Sequence, residues 1–292
     1  MSWHAGLDDV VSEQVPLADQ NWLGVGGTAE FFARPTDTDQ LVTLVERCRE
    51  NDLPVRVLGG GSNLLIRDEG VAGVVISLGQ GVLVENRVTA TTITSGGGAK
   101  LTHLVSTAVG AGRAGLESLV GIPGTVGGAL HSNAGNHGGD IGQWTSRAIV
   151  LTRNGELLHR HREDLVFAHR QSSLDELAIV EAQFMLEEED PAVLSKRMQK
   201  NWISTKANQP MSHENTLCLF KDPRGIGAEK ILEQAGLKGA AAGGVEVSSR
   251  HANFVVAHPG ATSDDVFRLV DMLREKVAQT VGVELEYHFE IW

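Results

Sequence analysis

Between Gly121 and Gly135 the chain reads Gly-Ile-Pro-Gly-Thr-Val-Gly-Gly-Ala-Leu-His-Ser-Asn-Ala-Gly, five glycines and a proline in fifteen residues. Each glycine costs about 1 kcal/mol against alanine in a helix interior, so no regular element runs through the whole segment. The backbone must instead take positive φ or approach something closely. A second such run, Leu58-Gly-Gly-Gly-Ser-Asn-Leu-Leu65, follows an apolar stretch, Pro54 to Leu58, that reads as a short strand. Exposed N–H groups on two glycine-rich loops form a concave cradle for an anion, most often a phosphate; the alternative is a pair of ordinary tight turns. Neither loop is a common nucleotide fingerprint. Leu64 stands where Gly-x-Gly-x-x-Gly, begun at Gly59, needs its third glycine, and no Gly-x-x-x-x-Gly-Lys-Ser/Thr occurs. A plain Rossmann dehydrogenase and a P-loop NTPase are both disfavoured.

The 292 residues are enough for two or three domains, and a 41% hydrophobic, 21% charged composition is that of a globular protein. A net charge of −12 argues against non-specific nucleic-acid binding, which needs a basic face. Two cysteines, Cys48 and Cys218, make neither a disulfide framework nor a metal-ligand pattern. No apolar run approaches membrane-spanning length, and Asp8, Asp9 and Glu13 stand where a signal peptide needs a basic flank and apolar core. The expected location is cytoplasmic, with no membrane partner.

Helices and strands alternate through the first half. Asp37 to Glu50 reads as an amphipathic helix with Leu41, Leu44 and Val45 on one face and Cys48 as packing. Val71 to Leu78 and Val88 to Ser95 read as strands, Leu101 to Ala111 as a helix closed by Gly112. A strand pair, Ala148 to Leu151 and Leu157 to Arg160, is joined by Arg153-Asn154-Gly155, and Asn-Gly is a strong hairpin signal. The acidic run Glu187 to Asp190, then Pro191, marks a domain boundary and opens a helix capped by Asp190, with Leu194, Met198 and Trp202 at helical spacing. Gly227 to Ala235 reads as a helix stopped by Gly236. Ser263 to Thr280 reads as a longer one, capped by Ser263 and striped by Val266, Val270, Leu273 and Val277. Alternation from Val283 to Trp292 predicts a final strand, with Glu286, His288 and Glu290 on one face.

These segments, with Val25-Gly-Gly-Thr-Ala29, Phe167-Ala-His-Arg170, Leu219-Phe-Lys-Asp-Pro223 and Val247-Ser-Ser-Arg-His-Ala-Asn-Phe254, resemble the UDP-N-acetylenolpyruvoylglucosamine reductase (MurB) family over nearly the whole chain. About 48 positions separate Arg170 from Cys218, which resembles the branch without an extra substrate-capping loop. The resemblance implies an α+β fold: an FAD-binding unit of the vanillyl-alcohol-oxidase type in two subdomains, residues 1–78 and 79–190, and a C-terminal α+β substrate-binding domain, 191–292, whose last strand returns to the first subdomain. It implies FAD and NADPH as cofactors, a UDP-sugar enolpyruvyl ether as substrate, and a monomer.

By the same resemblance Gly59, Gly60, Gly61, Ser62 and Asn63, with Gly121, Ile122, Gly124, Thr125 and Gly128, line the FAD pyrophosphate, and Asn133 and Gly135 lie by the flavin. Arg170 is the family arginine that donates to a developing enolate. Cys218 stands where the family has a proton-donating serine; a free thiol, with a pKa of about 8.5, is a stronger acid than an alcohol. His288 stands where the family has a catalytic glutamate, and a one-step slip of the strand brings Glu286 or Glu290 there instead. His169 replaces a family tyrosine beside Arg170, and Lys221 and Asn253 are the expected substrate or NADPH contacts. His131 and His137 are expected to pack the flavin pocket, with no metal. Two other functions fit the same residues less well: a flavin oxidase of the same fold acting on an alcohol or sugar, and a flavin-binding homologue without reductase activity.

Overall fold

The computed structural model describes residues 3–136, 138–208, 215–223 and 226–292. It divides into two compact units. One comprises residues up to Glu13, Phe31–Gly60 and Ala72–Thr205; the other comprises Gln14–Glu30, Gly61–Val71 and Lys206–Trp292.

The first unit is built on a five-stranded antiparallel sheet in the order Leu157–His161, Thr145–Leu151, Ala178–Met185, Thr92–Gly96, Asn86–Val88. Helix α1 is Thr38–Glu50, with the Asp37 carboxylate accepting from the Gln40 N–H as its N-cap. Its apolar face, Leu41, Leu44, Val45 and Cys48, is buried with Val74 and Ile76 of a parallel strand pair and with Leu151 and Val180 of the sheet. Helices α2 (Leu101–Gly110) and α3 (Val126–His131) bury Leu104, Val105, Ala108, Val126 and Leu130 with Ile93, Val150 and Phe184. Cys48 is fully buried, and desolvation pushes its thiol up to about 11, which makes it an inert packing group.

Two local expectations change here. Val88 to Ser95 is not one strand: Val88 ends one strand and Thr92–Ser95 belongs to the next, and at the turn between them the Thr89 N–H donates to Thr92 O at 2.8 Å while the Thr89 hydroxyl accepts from the Thr92 N–H. The Arg153–Gly155 hairpin forms as expected, with Gly155 at φ +87°. Helix α4 (Pro191–Asn208) starts where Asp190 accepts from the Ala192 N–H, and Leu194 and Met198 pack inward. Trp202 does not continue that stripe. It is 41% exposed, and its ring lies over Gly121, whose missing Cβ would stand 3.4 Å from it.

The second unit carries a four-stranded antiparallel sheet in the order Thr216–Cys218, Phe254–Ala257, Val245–Val247, Ala241–Ala242. Helices α5 (Ala228–Gln234) and α6 (Ser263–Val281) supply Ile231, Leu232, Val266, Leu269, Val270, Leu273 and Val277 to a core shared with Leu217, Val247, Val255, Leu285 and Phe289. Thr262, not Ser263, caps α6. The Thr262 hydroxyl accepts from the Asp265 N–H and the Asp265 carboxylate accepts from the Thr262 N–H. The Ser263 hydroxyl is instead given to Asp68, which also accepts from the Ser263 N–H. The chain end is not one strand. Glu290–Ile291 pairs parallel with Leu64–Leu65, and the residues before it pair with a different segment, through the bridge Phe220–Tyr287.

Hydrogen bonds from the Gly244 and Thr262 N–H groups and from Arg268 hold the Asp265 carboxyl below the ordinary carboxylate value, against its burial. The native group titrates lower than the unfolded one, so its stabilisation is complete above about pH 4 and fades as the pH falls through the native value. Asp265→Asn is expected to lower unfolding stability by about 1–2 kcal/mol at pH 7. In urea melts the gap to the parent narrows towards pH 3; a gap independent of pH contradicts this account.

Candidate functional site

In the first unit the two glycine-rich runs meet backbone to backbone. A Cβ on Gly60 would lie 2.6 Å from Gly124 Cα, and one on Gly59 would lie 2.8 Å from Thr125 Oγ1. Gly121 and Gly124 take φ +87° and +98°, which L side chains resist. Thr125 caps α3 by accepting from the Gly128 N–H at 3.3 Å. The Val126 and Gly127 N–H groups bond to Ala99 and Gly97, and Leu101 bonds back to Gly124. Gly96-Gly97-Gly98 therefore frames this loop, although it was not picked out in the sequence. Its signal was the same glycine density at the end of a strand.

Gly135 uses its missing Cβ within its own hairpin, 2.7 Å from Asp140 Cβ, so the need for glycine there is met without a ligand. Asn133 is buried, at φ +44°, and fastens two segments: its Nδ2 donates to Ala168 O at 2.8 Å, and its Oδ1 accepts from the Gly142 N–H. The Ser172 hydroxyl donates to His131 O at 3.0 Å. These contacts tie the hairpin Phe167–Ala168/Gln171–Ser172 down on both sides of its two-residue turn, His169-Arg170. Arg170 stands exposed in that turn at φ +58°, a left-handed conformation that is uncommon for arginine. His169 is exposed beside it. His137 lies outside the described residues.

In the second unit, Cys218 ends the edge strand of the sheet and the next three residues change neighbours. Lys221 N–H donates to Glu286 O at 3.0 Å, and His288 N–H donates to Leu219 O at 2.9 Å. Asn63 joins the same frame: its Nδ2 donates to His288 O at 3.1 Å and its carbonyl accepts from the Glu290 N–H. Cys218, Lys221, Asn63 and His288 are thus brought onto adjacent backbone segments. His288 is half-buried, while Glu286 and Glu290 are exposed. Lys221 Nζ is 3.5 Å from the Glu286 carboxylate, a solvent-facing pair that contributes little to stability. Gly61, at φ +63°, packs its bare Cα against Gln20 and Asn21, with the Trp22 N–H on its carbonyl. Asn253 is buried and bonds to the Phe220 backbone. Among the described residues no cluster of His, Cys, Asp and Glu is arranged to hold a metal, and no helix is long and apolar enough to cross a membrane.

Residues 209–292 match the family described as UDP-N-acetylenolpyruvoylglucosamine reductase, C-terminal domain, and residues 29–160 match the FAD binding domain family. UDP-N-acetylenolpyruvoylglucosamine reductase from Rhodopirellula baltica is 38% identical over 97% of this chain and 93% of its own length. That from Heliobacterium modesticaldum is 38% identical over 94% and 88%. The crystal structure of UDP-N-acetylenolpyruvylglucosamine reductase from Thermus caldophilus superposes with a TM-score of 0.81 at 33% identity, covering 95% of this chain and 97% of that one.

A left-handed arginine costs about 1–2 kcal/mol that glycine does not incur. Glycine gives part of this back through a freer unfolded chain. Arg170→Gly is therefore expected to be at least as stable as the parent in urea unfolding. A loss above 1 kcal/mol would mean that the side chain, not the tied-down backbone, holds the turn.

Proposed function

The chain belongs to the UDP-N-acetylenolpyruvoylglucosamine reductase family, and from that premise we propose how its own residues divide the reaction. The protein is an FAD-dependent oxidoreductase that reduces UDP-N-acetylglucosamine enolpyruvate to UDP-N-acetylmuramate with NADPH, in peptidoglycan precursor synthesis. The observation that carries the assignment of roles is the frame at Cys218. Residues 70 positions apart, Cys218 and His288, are held on hydrogen-bonded neighbouring segments.

The backbone at Gly59-Gly60 and Gly124-Thr125 fits a cofactor pyrophosphate, because side-chain volume there is excluded and bare N–H groups can approach two negative charges. Gly59, Gly60, Gly121, Ile122, Gly124, Thr125 and Gly128 would hold it, with Gly61, Ser62 and Asn63 continuing the first loop. FAD, when bound, supplies the hydride chemistry that no side chain can. Asn133 contributes by fixing the turn, and Gly135 by closing the adjacent hairpin.

Reduction of the enolpyruvyl group puts negative charge on the α-carbon and its carboxylate, so a donor that binds this charge more tightly than the ground state accelerates the step. Arg170, permanently charged and fixed in its turn, is that donor, and His169 is the other residue of the turn. The α-carbon must then gain a proton on one face, and Cys218 supplies it. His288 donates to the same developing charge, in the place a carboxylic acid takes elsewhere in the family. Glu286, occupied by Lys221 at the surface, is a poorer candidate. Lys221 can exchange that partner for a substrate or NADPH phosphate at small cost. The short interval between Arg170 and Cys218 supports the branch without the capping loop. The division at 78/79 and 190/191, a monomer and a cytoplasmic location go with the same reading.

Anaerobic stopped-flow absorbance separates the two half-reactions. With Cys218→Ala, reduction by NADPH is expected at the parent rate and reoxidation by the enolpyruvyl substrate to slow by roughly 10²–10⁴-fold, while Cys218→Ser keeps substantial turnover. Arg170→Ala is expected to slow reoxidation by about 10²–10³-fold. His288→Ala turning over like the parent removes His288 from the scheme and leaves Glu290 as the candidate. A parent protein that is reduced by NADPH but never reoxidised by this substrate is a flavoprotein with another acceptor.

A further inference from the structure

Asn253 is an expected ligand contact, yet both amide hydrogens and the oxygen of its side chain are bonded to the chain itself. It is 5% exposed and immediately precedes the strand Phe254–Ala257, whose first residue pairs with Cys218. Its Oδ1 accepts from the Phe220 N–H at 3.0 Å. Its Nδ2 carries two hydrogens; one goes to Phe220 O at 2.7 Å and the other to Cys218 Sγ at 3.6 Å, a length suited to the large sulfur atom. The reversed amide would set oxygen against oxygen and N–H against N–H at Phe220, so the bonding pattern itself fixes the orientation. The Asn253 backbone closes the same grip: its carbonyl accepts from the Leu219 N–H at 2.9 Å.

The residue is in turn held from behind. Its N–H donates to His251 Nδ1 at 3.2 Å, which leaves the ring proton on Nε2, 3.3 Å from the Glu229 carboxylate. Burial pushes His251 below the usual histidine value despite Glu229 and Glu233, so the neutral, accepting ring is favoured.

We infer that Asn253 is the positioning residue for Cys218, fixing Sγ with one amide hydrogen and stabilising the thiolate that remains after proton transfer. This rests on the reading of Cys218 as proton donor. In that step the S–H bond breaks, its electron pair stays on sulfur, the enolate pair forms the new C–H bond, and solvent returns a proton to sulfur after product leaves. An N–H donor binds the thiolate more strongly than the thiol, so it favours the direction of transfer. It also explains why a buried amide with no donor to spare lies beside the site.

The test reads the thiol directly. The protein has two cysteines and Cys48 is fully buried, so iodoacetamide labelling of the holoenzyme, located by peptide mass spectrometry, reports Cys218. The rate against pH is expected to titrate below the free-thiol value of about 8.5 in the parent, and roughly half a unit to one unit higher in Asn253→Ala. Reoxidation by the enolpyruvyl substrate is expected to slow roughly tenfold in Asn253→Ala, reduction by NADPH to be unchanged, and the tenfold effect to vanish in the Cys218→Ala background. An unshifted labelling profile overturns the inference while leaving the proton-donor reading intact. Normal reoxidation in Cys218→Ala overturns that reading whatever the labelling shows. Should Asn253→Ala fail to fold, the parent profile decides: a Cys218 thiol titrating at or above 8.5 rules the stabilising bond out.

Discussion

The first unit depends on backbone reaching backbone where a side chain would stand. Gly60 against Gly124 and Gly59 against Thr125 bring two loops more than sixty positions apart into direct contact. Gly97 accepts from the Gly127 N–H, and Leu101 bonds back to Gly124, so the loop is hydrogen-bonded on a second side. A single Cβ at Gly60 would push the loops apart, since the atom it meets is main chain and cannot rotate away. Density of glycine is therefore a packing requirement first. The bare N–H groups it leaves are what an anionic cofactor uses.

Strained conformations lie close to the residues assigned to chemistry. Asn133 and Arg170 both take positive φ without being glycine, and the first fastens the hairpin that carries the second. Such conformations persist only where surrounding contacts over-determine them. Two hydrogen bonds from the α3 region and the ladder of the hairpin supply that determination. In the second unit the same task falls to Asn253, whose amide replaces the ladder hydrogen bonds where the strand at Cys218 ends. A short buried amide serves well here because it presents donor and acceptor in one rigid plane, like the peptide group it replaces.

Much of the fold was legible in short windows. The helix from Asp37 with its Leu41, Leu44, Val45 and Cys48 face, the hairpin at Gly155 and the start at Asp190-Pro191 follow from interactions within a few residues, and each formed, with Asp37 as the cap of the first rather than part of it. Two other elements turned on distant partners. Ser263 and Thr262 are chemically equivalent caps, and only the position of Asp68, some two hundred residues away in the chain, decided which hydroxyl stayed with the helix. Trp202 continued a helical stripe on paper, but bare backbone at Gly121 took its ring at the surface.

The glycine loops, the motifs that carry the family resemblance and the alternation that buries Leu285 and Phe289 while exposing Glu286 and Glu290 were all written in the order of residues, because periodicity and motif spacing are local quantities. Which segment the chain end pairs with was not. Tyr287 bridges to Phe220 and Glu290 to Leu64, so one apparent strand serves two neighbours. Likewise the Asn253 amide is committed to Phe220 and Cys218, which its place in the motif does not reveal. Sequence decides which side chains are present and which face they take. Tertiary structure alone decides which of their hydrogen bonds are already spent, because partners distant in sequence compete for the same few atoms.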